Sequence, residues 1–361
     1  MSSRIVDLAS LGWNDEVAAA FAPHAAFDQQ PGRVARVDRG GHVLALTARG
    51  PVRARTTARM ARDPDPMAHP TVGDWVVVRP ASDDSLASVA ALLPRRSVFL
   101  RHASGNQTAA QALAANVDTA LVVVSLASAV NVRRLERLVT IAWSGGAVPV
   151  VVGSKADACA DLAAARAALA RAAVGVDVLI VSAVTGTGLP DLAGLAANGR
   201  TVVLLGASGV GKSTLVNCLL GDQRLATQPI RDDGKGRHTT TARELVVLPA
   251  GGVLIDTPGL RGLALWDTEV GLDQTFSDIE ALASGCRFRD CAHAGEPGCA
   301  VRGAIEDATL PTERLAAYHK LQRELAYLAR KQDRALAAAE SRRWKAIHAS
   351  MRDHPKLRDR R

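Results

Sequence analysis

The amino-acid sequence predicts a multidomain chain in which a small β-barrel precedes an α/β domain and a small helical region follows. Between about residues 32 and 93, short alternating apolar and polar stretches are separated by Gly-rich turns, which is typical of a barrel. From about residue 119, near-continuous apolar strands alternate with helical stretches, which indicates a parallel sheet covered on both faces. Three cysteines within residues 286–299 favour a metal-stabilised small domain.

Composition limits the kind of protein. With 361 residues, of which 48% are apolar and 22% charged, the chain is long enough for two or three globular domains. Its N-terminus lacks the layout of a secretion signal, and its longest apolar stretch, near 119–130, is too short to span a bilayer. We therefore expect a cytoplasmic monomer that does not bind membranes and whose cysteines stay reduced.

The net charge is concentrated at the C-terminal end. Residues 310–361 carry 14 Lys or Arg and 6 Asp or Glu, and so account for the whole net charge of +8. A basic tail suggests a polyanionic partner, and a solvated helix face is the alternative.

The barrel region contains the strand-like pieces RVARV, HVLALT, VRARTT and DWVVVR, separated by turns at 40–41, 50–51 and 73–74. About five short strands in about 60 residues fit an OB-fold. Residues 33–79 contain nine Arg and four Asp, a balance that favours nucleic-acid binding, with docking to a protein as the alternative. Trp75 is the only aromatic residue there, so sequence-specific recognition of single strands is not favoured.

A phosphate-binding loop follows the strand that ends near residue 206. The stretch GASGVGKST has the spacing Gly-x4-Gly-Lys-Ser and leads into a helix, which is the context that this motif requires. Backbone N–H groups of such a loop hold phosphates, Lys212 is expected to reach the β- and γ-phosphates, and Ser213 is expected to bind Mg²⁺. The nucleotide-binding residues predicted here are Gly206, Ala207, Ser208, Gly209, Val210, Gly211, Lys212, Ser213 and Thr214.

Residues 150–157, VVVGSKAD, are close to the Asn-Lys-x-Asp motif by which GTP-binding proteins recognise guanine. The Asp157 carboxylate can accept hydrogen bonds from guanine N1–H and the 2-amino group, a donor pair that adenine lacks. Ser154 replaces the usual Asn and is expected to be too short to reach the base and the phosphate loop, so nucleotide affinity falls and an asparagine there should restore it. The predicted guanine-site residues are Ser154, Lys155, Ala156 and Asp157, with Ser182 and Ala183 one βα unit later.

The remaining catalytic residues are expected around a second strand end. Asp256 ends a buried strand in DTPG, where it can hold Mg²⁺ through water while the N–H of Gly259 meets the γ-phosphate. Any threonine of 239–241, with Thr240 at their centre, can close over Mg²⁺. Leu260 replaces the glutamine that orients water in many GTPases, so hydrolysis alone is expected to be slow. His238 is either the group that helps or a solvent-facing loop histidine.

The guanine motif precedes the phosphate loop, whereas in ordinary GTPases it follows. All the strands of one GTPase fold are present, and only the order of the motifs differs. The sequence therefore predicts a circularly permuted P-loop GTPase domain whose original ends are joined near 198–201.

The cysteine cluster has ligand spacing. Cys286-x4-Cys291-x-His293-x5-Cys299 supplies three thiolates and one imidazole, the donor set of a closed structural Zn²⁺ site, with scattered reduced cysteines as the alternative. Cys159 and Cys218 are expected to be small core residues.

The motifs PRRSVFLRH, AANVD, GRHTTT, DTPGL and CxxxxCxHxxxPGCAV make the chain similar to the ribosome small-subunit-dependent GTPase A family, RsgA, over about residues 30–325. The resemblance implies an OB-fold, a permuted G domain and a C-terminal zinc domain. It also implies GTP and GDP as ligands, the small (30S) ribosomal subunit and its rRNA as partners, and a role in late subunit maturation with subunit-stimulated hydrolysis. Ser154 and the long basic tail depart from the family pattern.

The sequence leaves two alternative functions open: a permuted GTPase of large-subunit assembly, and an RNA-binding nucleotide sensor with negligible turnover. The barrel and the zinc spacing argue against the first. The predicted segments are an N-terminal, partly mobile segment 1–30, the barrel 31–95, the G domain 104–265, the zinc domain 266–325 and a basic helical tail 326–361.

Overall fold

The computed structural model describes residues 7–25, 28–38, 40–81, 86–102, 110–221, 243–256 and 269–330, and the statements below refer to these. The strands are β1 (Gln30–Val37), β2 (His42–Thr47), β3 (Gly50–Thr56), β4 (Trp75–Arg79), β5 (Ala87–Leu92), β6 (Val98–His102), β7 (Ala110–Ala115), β8 (Thr119–Ser125), β9 (Val148–Ser154), β10 (Asp177–Ile180), β11 (Thr201–Leu205), β12 (Glu244–Val247) and β13 (Val253–Asp256). The helices are α1 (Asp15–Phe21), α2 (Ala58–Ala61), α3 (Val132–Ser144), α4 (Leu162–Ala172), α5 (Leu189–Leu195), α6 (Lys212–Leu220), α7 (Glu269–Thr275), α8 (Ser277–Ala283), α9 (Ala300–Glu306) and α10 (312–330).

Strands β1 to β5 close into a barrel. β1 pairs with both β2 and β4, β3 pairs with β2 and β5, and β4 pairs with β5, so the ring has no open edge. Alternate residues of β2 point inward, and its Val43 and Ala45 pack with Val34 and Val76 in the barrel core. The expected OB-like barrel is confirmed. Strands β6 and β7 form a separate antiparallel pair between the barrel and the next domain.

A second set of strands forms the α/β sheet, in the order β10-β9-β8-β11-β13-β12. All neighbours are parallel except β12, which runs antiparallel to β13. The strands are almost entirely apolar because both faces of the sheet are buried. Leu121, Val151 and Val203, for example, are fully buried. β11 comes fourth along the chain among these six strands, yet it lies between β8 and β13. This arrangement is the predicted permuted α/β fold.

A buried arginine joins the barrel to the α/β sheet. Arg33 of β1 donates hydrogen bonds to Leu11 O at 2.7 Å, Asn116 O at 3.0 Å and Thr201 Oγ1 at 3.0 Å, and its guanidinium lies over the Trp75 ring. Burial lowers the pKa of Arg33 to about 10, so the group stays protonated at neutral pH. One of the nine arginines expected on a nucleic-acid-binding face is therefore structural, because the barrel must satisfy carbonyl groups at this junction.

The C-terminal helices pack on α3 of the α/β domain. Arg314 of α10 is 5% exposed and forms ion pairs with Glu136 of α3 and Asp278 of α8. Its guanidinium also donates to Thr275 O at 2.7 Å and lies 4.4 Å from the centroid of the Phe276 ring. These contacts fix the helical region against the G domain. No helix in the described part of the chain is long and apolar enough to cross a membrane.

Candidate nucleotide site and metal centre

The phosphate loop joins β11 to α6. Gly206 has φ 151°, and a Cβ there would lie 2.5 Å from Val123 O, so only glycine lets the loop pass over β8. Gly211, with φ 95°, is the N-cap of α6. Lys212 Nζ donates to Gly206 O at 2.9 Å, which places the ammonium across the concave side of the loop. The loop therefore has the backbone shape that binds phosphates at a helix N-terminus. Ser208, Ser213 and Thr214 are exposed, and Ala207 and Val210 are half-buried.

The last residue of β9 and the residue after it contact the phosphate loop directly. Ser154 Oγ lies 2.6 Å from Val210 O and 3.0 Å from Val124 O, and Lys155 Nζ donates to Gly209 O at 2.8 Å. The expectation that serine is too short to reach the phosphate loop is wrong. The loop folds back over the end of β9, where Ser154 is only 2% exposed, so a hydroxyl suffices. Because the hydroxyl has one hydrogen, it donates to one carbonyl at a time.

Asp157 is held by the next βα unit. Ser182 Oγ donates to Asp157 Oδ1 at 2.5 Å and accepts N–H groups of Val184 and Thr185, both at 3.2 Å. Ala156 N donates to Val181 O at 3.1 Å, which joins the two segments through their backbones. Ser182 is fully buried, whereas Asp157 is exposed and so accessible to a base. Sequence reasoning assigned Ser182 only to the base-contacting loop and missed that its hydroxyl orients the carboxylate. Ala183, half-buried, follows it.

Asp256 ends β13, which lies beside the phosphate-loop strand β11. Burial raises the pKa of the Asp256 carboxyl, and the positive charge of Lys212 opposes that rise. Both side chains therefore belong to one electrostatic site. His238, Thr240 and Gly259 lie outside the described residues, as do the other threonines of 239–241 and Leu260. Their catalytic roles stay predictions.

The described nucleotide residues come from separate parts of the sequence. They end β9 or β13 or follow β9, β10 and β11, and all lie at the carboxyl edge of the sheet. Loops at this edge of a parallel sheet bind ligands. The arrangement can hold a phosphate chain over α6 and a purine base against Asp157.

The second cluster is local in sequence. The ligand atoms of Cys286, Cys291, His293 and Cys299 all lie within 4.8 Å of one another. His293 Nδ1 is 3.4 Å from Cys299 Sγ, and the Sγ atoms of Cys286 and Cys299 are 3.9 Å apart. A tetrahedron with Zn–S distances of about 2.3 Å has edges of about 3.8 Å, so the cluster fits a tetrahedral ion.

Glu296 organises the loop that carries these ligands. Its carboxylate accepts N–H groups of Ala292 at 3.1 Å, Ala294 at 2.8 Å and Gly295 at 3.1 Å. Hydrogen bonds from its own backbone N–H and from these three groups lower the pKa of Glu296 to about 2. On the other side, Ala292 O lies 2.9 Å from Nε2 of His319 on α10. The spacing of the metal ligands in the sequence does not indicate these roles of Glu296 and His319.

The fold and the assembled site define a circularly permuted GTPase of the phosphate-loop class. The family model described as RsgA GTPase matches residues 92–266. Several relatives carry the name small ribosomal subunit biogenesis GTPase RsgA. The protein from Streptomyces coelicolor is 51% identical, with 93% of this chain and 91% of its own covered. That from Opitutus terrae is 47% identical, with 98% and 99% covered, and that from Methanosarcina acetivorans is 39% identical, with 96% and 93% covered.

Two solved structures share the fold. YjeQ from Thermotoga maritima is 22% identical, with a TM-score of 0.62 over 82% of this chain and 99% of that one. YloQ, described as a circularly permuted GTPase, is 23% identical, with a TM-score of 0.60 over 86% of this chain and 98% of that one. This chain belongs to the RsgA GTPase family, and it is therefore a GTP hydrolase. The family resemblance read from the motifs is confirmed.

Proposed function

We propose that this protein binds the small (30S) ribosomal subunit, assists its late maturation, and hydrolyses GTP slowly alone and faster on the subunit. One observation carries the proposal: the guanine motif and the phosphate loop, which occur in permuted order along the chain, lie together at one edge of the sheet. The chain that contains them is 51% identical to a relative named for small-subunit biogenesis. The small subunit, its rRNA and the cytoplasmic location are inferred from the names of the relatives. The monomeric state is inferred from the sequence alone.

Guanine selection is assigned to Asp157. Its carboxylate, oriented by Ser182, accepts from N1–H and the 2-amino group of guanine. Adenine offers an acceptor at N1 and no 2-amino group, so it would leave the carboxylate unpaired. Because an unmatched charged group costs more than a missing neutral hydrogen bond, ATP is excluded. Lys155 and Ala156 shape the edge of the base pocket, and Ala183 supplies a backbone N–H toward guanine O6.

Phosphate binding is assigned to the loop residues 206–214. Lys212, which lies across the loop, neutralises the β- and γ-phosphates. Ser213 and, through water, Asp256 would hold Mg²⁺, which supplies positive charge to the phosphate oxygens when bound. The donor set fits, because both side chains offer the oxygen ligands that Mg²⁺ prefers.

Slow hydrolysis without the subunit follows from Leu260, which cannot orient water. Thr240 is proposed to close over the metal side of the site, Gly259 to donate its N–H to the γ-phosphate, and His238 to orient the attacking water. A subunit-induced arrangement of these residues would raise turnover without adding a new chemical group.

RNA binding is assigned to the barrel, the metal domain and the basic tail. Six arginines of the barrel region are exposed, namely Arg49, Arg53, Arg55, Arg59, Arg62 and Arg79. Exposed arginines make phosphate contacts that do not depend on sequence. The Cys286, Cys291, His293 and Cys299 cluster is assigned a structural Zn²⁺ that keeps the metal domain folded.

The experiment is GTP turnover titrated with purified small subunits, with ATP and purified large subunits as matched controls. We expect a low basal rate, saturable stimulation by small subunits, and no stimulation by large subunits. Turnover of ATP at the rate of GTP would contradict the guanine assignment. Stimulation by large subunits alone, or no turnover with either subunit, would replace the proposal with the large-subunit or the nucleotide-sensor alternative.

A further inference from the structure

An exposed aromatic ring lies between two arginines in the loop that joins the first two metal-ligand cysteines. We propose that Phe288, together with Arg287 and Arg289, binds one unpaired nucleobase of single-stranded RNA, by stacking and by phosphate contacts. The identity of that RNA as small-subunit rRNA rests on the proposed function. The binding chemistry itself requires only an unstacked base beside a phosphate.

Phe288 is 41% exposed, which is unusual for an aromatic residue of this chain. Among the described residues, Tyr327 is the only other aromatic in the exposed class, and Trp75 and Phe276 are 1% and 0% exposed. Single exposed apolar residues are common and need no ligand to explain them. What distinguishes Phe288 is the charge and rigidity of its surroundings.

The Arg287 guanidinium carbon lies 5.5 Å from the centroid of the Phe288 ring, within the range of a cation–π contact. The stem of Arg287 lies against Gly298, where an added Cβ would be 3.1 Å from the Arg287 Cβ. Arginine planes and aromatic faces are the two surfaces on which unpaired bases stack. The pair therefore offers an unpaired base both kinds of surface.

The loop is held at both ends. Arg287 N donates to Gly298 O at 3.1 Å, and Cys291 N donates to Phe288 O at 3.3 Å. The cysteines on either side, Cys286 and Cys291, belong to the metal cluster. A loop whose backbone is held in this way loses little conformational entropy on binding, which favours its use as a recognition element.

The charge around the ring favours RNA over protein. Arg287 and Arg289 are exposed, and Asp290 is the exposed acid of the same loop. The nearby Glu296 carboxylate is occupied by three backbone N–H groups.

The small apolar surface around Phe288 also favours RNA over protein as the partner. Among the described residues of 284–300, Phe288 is the only large hydrophobic residue in the exposed class. A protein partner would need a wider apolar core, whereas a base needs one flat ring. The barrel lacks such a ring in its described residues, because its Trp75 is buried under Arg33.

The test compares Phe288→Ala, Phe288→Leu and Phe288→Trp, with Leu162→Ala on α4 of the G domain as the matched control for loss of an exposed apolar side chain, since Leu162 is 43% exposed. Affinity is measured at fixed salt for isolated small subunits and for a mixed-sequence single-stranded RNA oligonucleotide. Loss of one stacked base should weaken binding of the alanine and leucine variants roughly 5- to 100-fold, while the Phe288→Trp and Leu162→Ala variants stay within about twofold of wild type. Zinc content and basal GTP turnover should be unchanged in all four.

Salt dependence separates the ring from the arginines. Phe288→Ala should leave the slope of log affinity against log salt unchanged, whereas Arg287→Gln or Arg289→Gln should reduce it by about one for each lost phosphate contact.

Wild-type affinity of Phe288→Ala for both RNA probes would overturn the assignment. Recovery by leucine would also overturn it, because an apolar contact with a protein would then explain the site. Equal losses in Leu162→Ala would contradict a specific role for the loop. If the wild type binds the oligonucleotide through Phe288 but does not bind small subunits, the stacking site stands and the proposed function fails.

Discussion

The nucleotide site and the metal centre are built in opposite ways. The nucleotide site collects Ser154, Asp157, Ser182, Lys212 and Asp256 from four strand ends spread over about a hundred residues. The metal centre takes all its ligands from a single stretch, 286–299. The first depends on the parallel sheet for its geometry, and the second depends on the ion that it would hold.

This contrast predicts different failure modes. Removing a ligand from the metal centre should abolish the site, because all four ligands must bind the same ion and its binding free energy contributes to the folding of the loop. Removing one side chain from the nucleotide site should weaken one interaction, because the sheet still positions the remainder. The mutations below test this difference from the largest expected effect to the smallest.

Cys286→Ser should release zinc and locally unfold residues 280–305, while the G domain still binds GTP. The reason is that structural zinc in small domains contributes on the order of 10 kcal/mol to folding. Metal analysis and hydrogen exchange would measure both effects, and Cys159→Ser, outside the cluster, is the matched control. Absence of stoichiometric zinc in the wild type would refute the metal assignment. Loss of GTP binding together with zinc would break the proposed independence of the two sites.

Asp157→Asn should shift the nucleotide preference from GTP to xanthosine triphosphate by on the order of 100-fold. Guanine loses the charged acceptor of its two hydrogen bonds, whereas xanthine offers an acceptor in place of the 2-amino group and can pair with the amide. Competition binding with the two nucleotides measures the shift. Asp161→Asn is the control, since Asp161 caps α4 by accepting from Ala164 N and asparagine caps equally well. An unchanged base preference in Asp157→Asn would place guanine recognition elsewhere.

Ser182→Ala should weaken GTP binding by roughly tenfold, because Asp157 loses the hydroxyl that orients it and three polar groups lose a partner. Calorimetry with GTP and GDP provides the measurement. Ser284→Ala, which removes an exposed hydroxyl bonded to Ala281 O, should have no effect on nucleotide affinity. Wild-type affinity in Ser182→Ala would show that the cross-strand contact is dispensable.

Ser154→Ala should weaken GTP binding by only about 0.5–1.5 kcal/mol, the usual value of one hydrogen bond. Sequence alone predicts that Ser154→Asn tightens binding, whereas the structure predicts no gain. The existing hydroxyl already reaches Val210 O from a buried position, and asparagine must fit extra atoms there. Calorimetric titration of both variants decides between the two expectations, since a gain on Ser154→Asn would restore the simpler sequence-based view.

The sequence alone was sufficient for the modules and their class. Barrel, parallel α/β sheet, phosphate loop and Cys3His cluster each depend on short-range patterns, namely alternation, apolar runs and ligand spacing. The permuted order is also visible in the chain, because it is an order of motifs. The metal ligands are the clearest case, since neighbours within a short loop can meet without any help from the rest of the fold.

Tertiary structure alone decided which residues act on one another across the modules. In the sequence, Arg33 is one basic barrel residue among several. In the structure, Arg33 is buried at the junction with β11 and covers the ring of Trp75, which therefore cannot stack on a base. The reach of Ser154 depends on how the phosphate loop folds back over β9, which no local pattern encodes. Side-chain length can be read from a sequence, whereas the gap that it must bridge is set by the packing of strands distant along the chain.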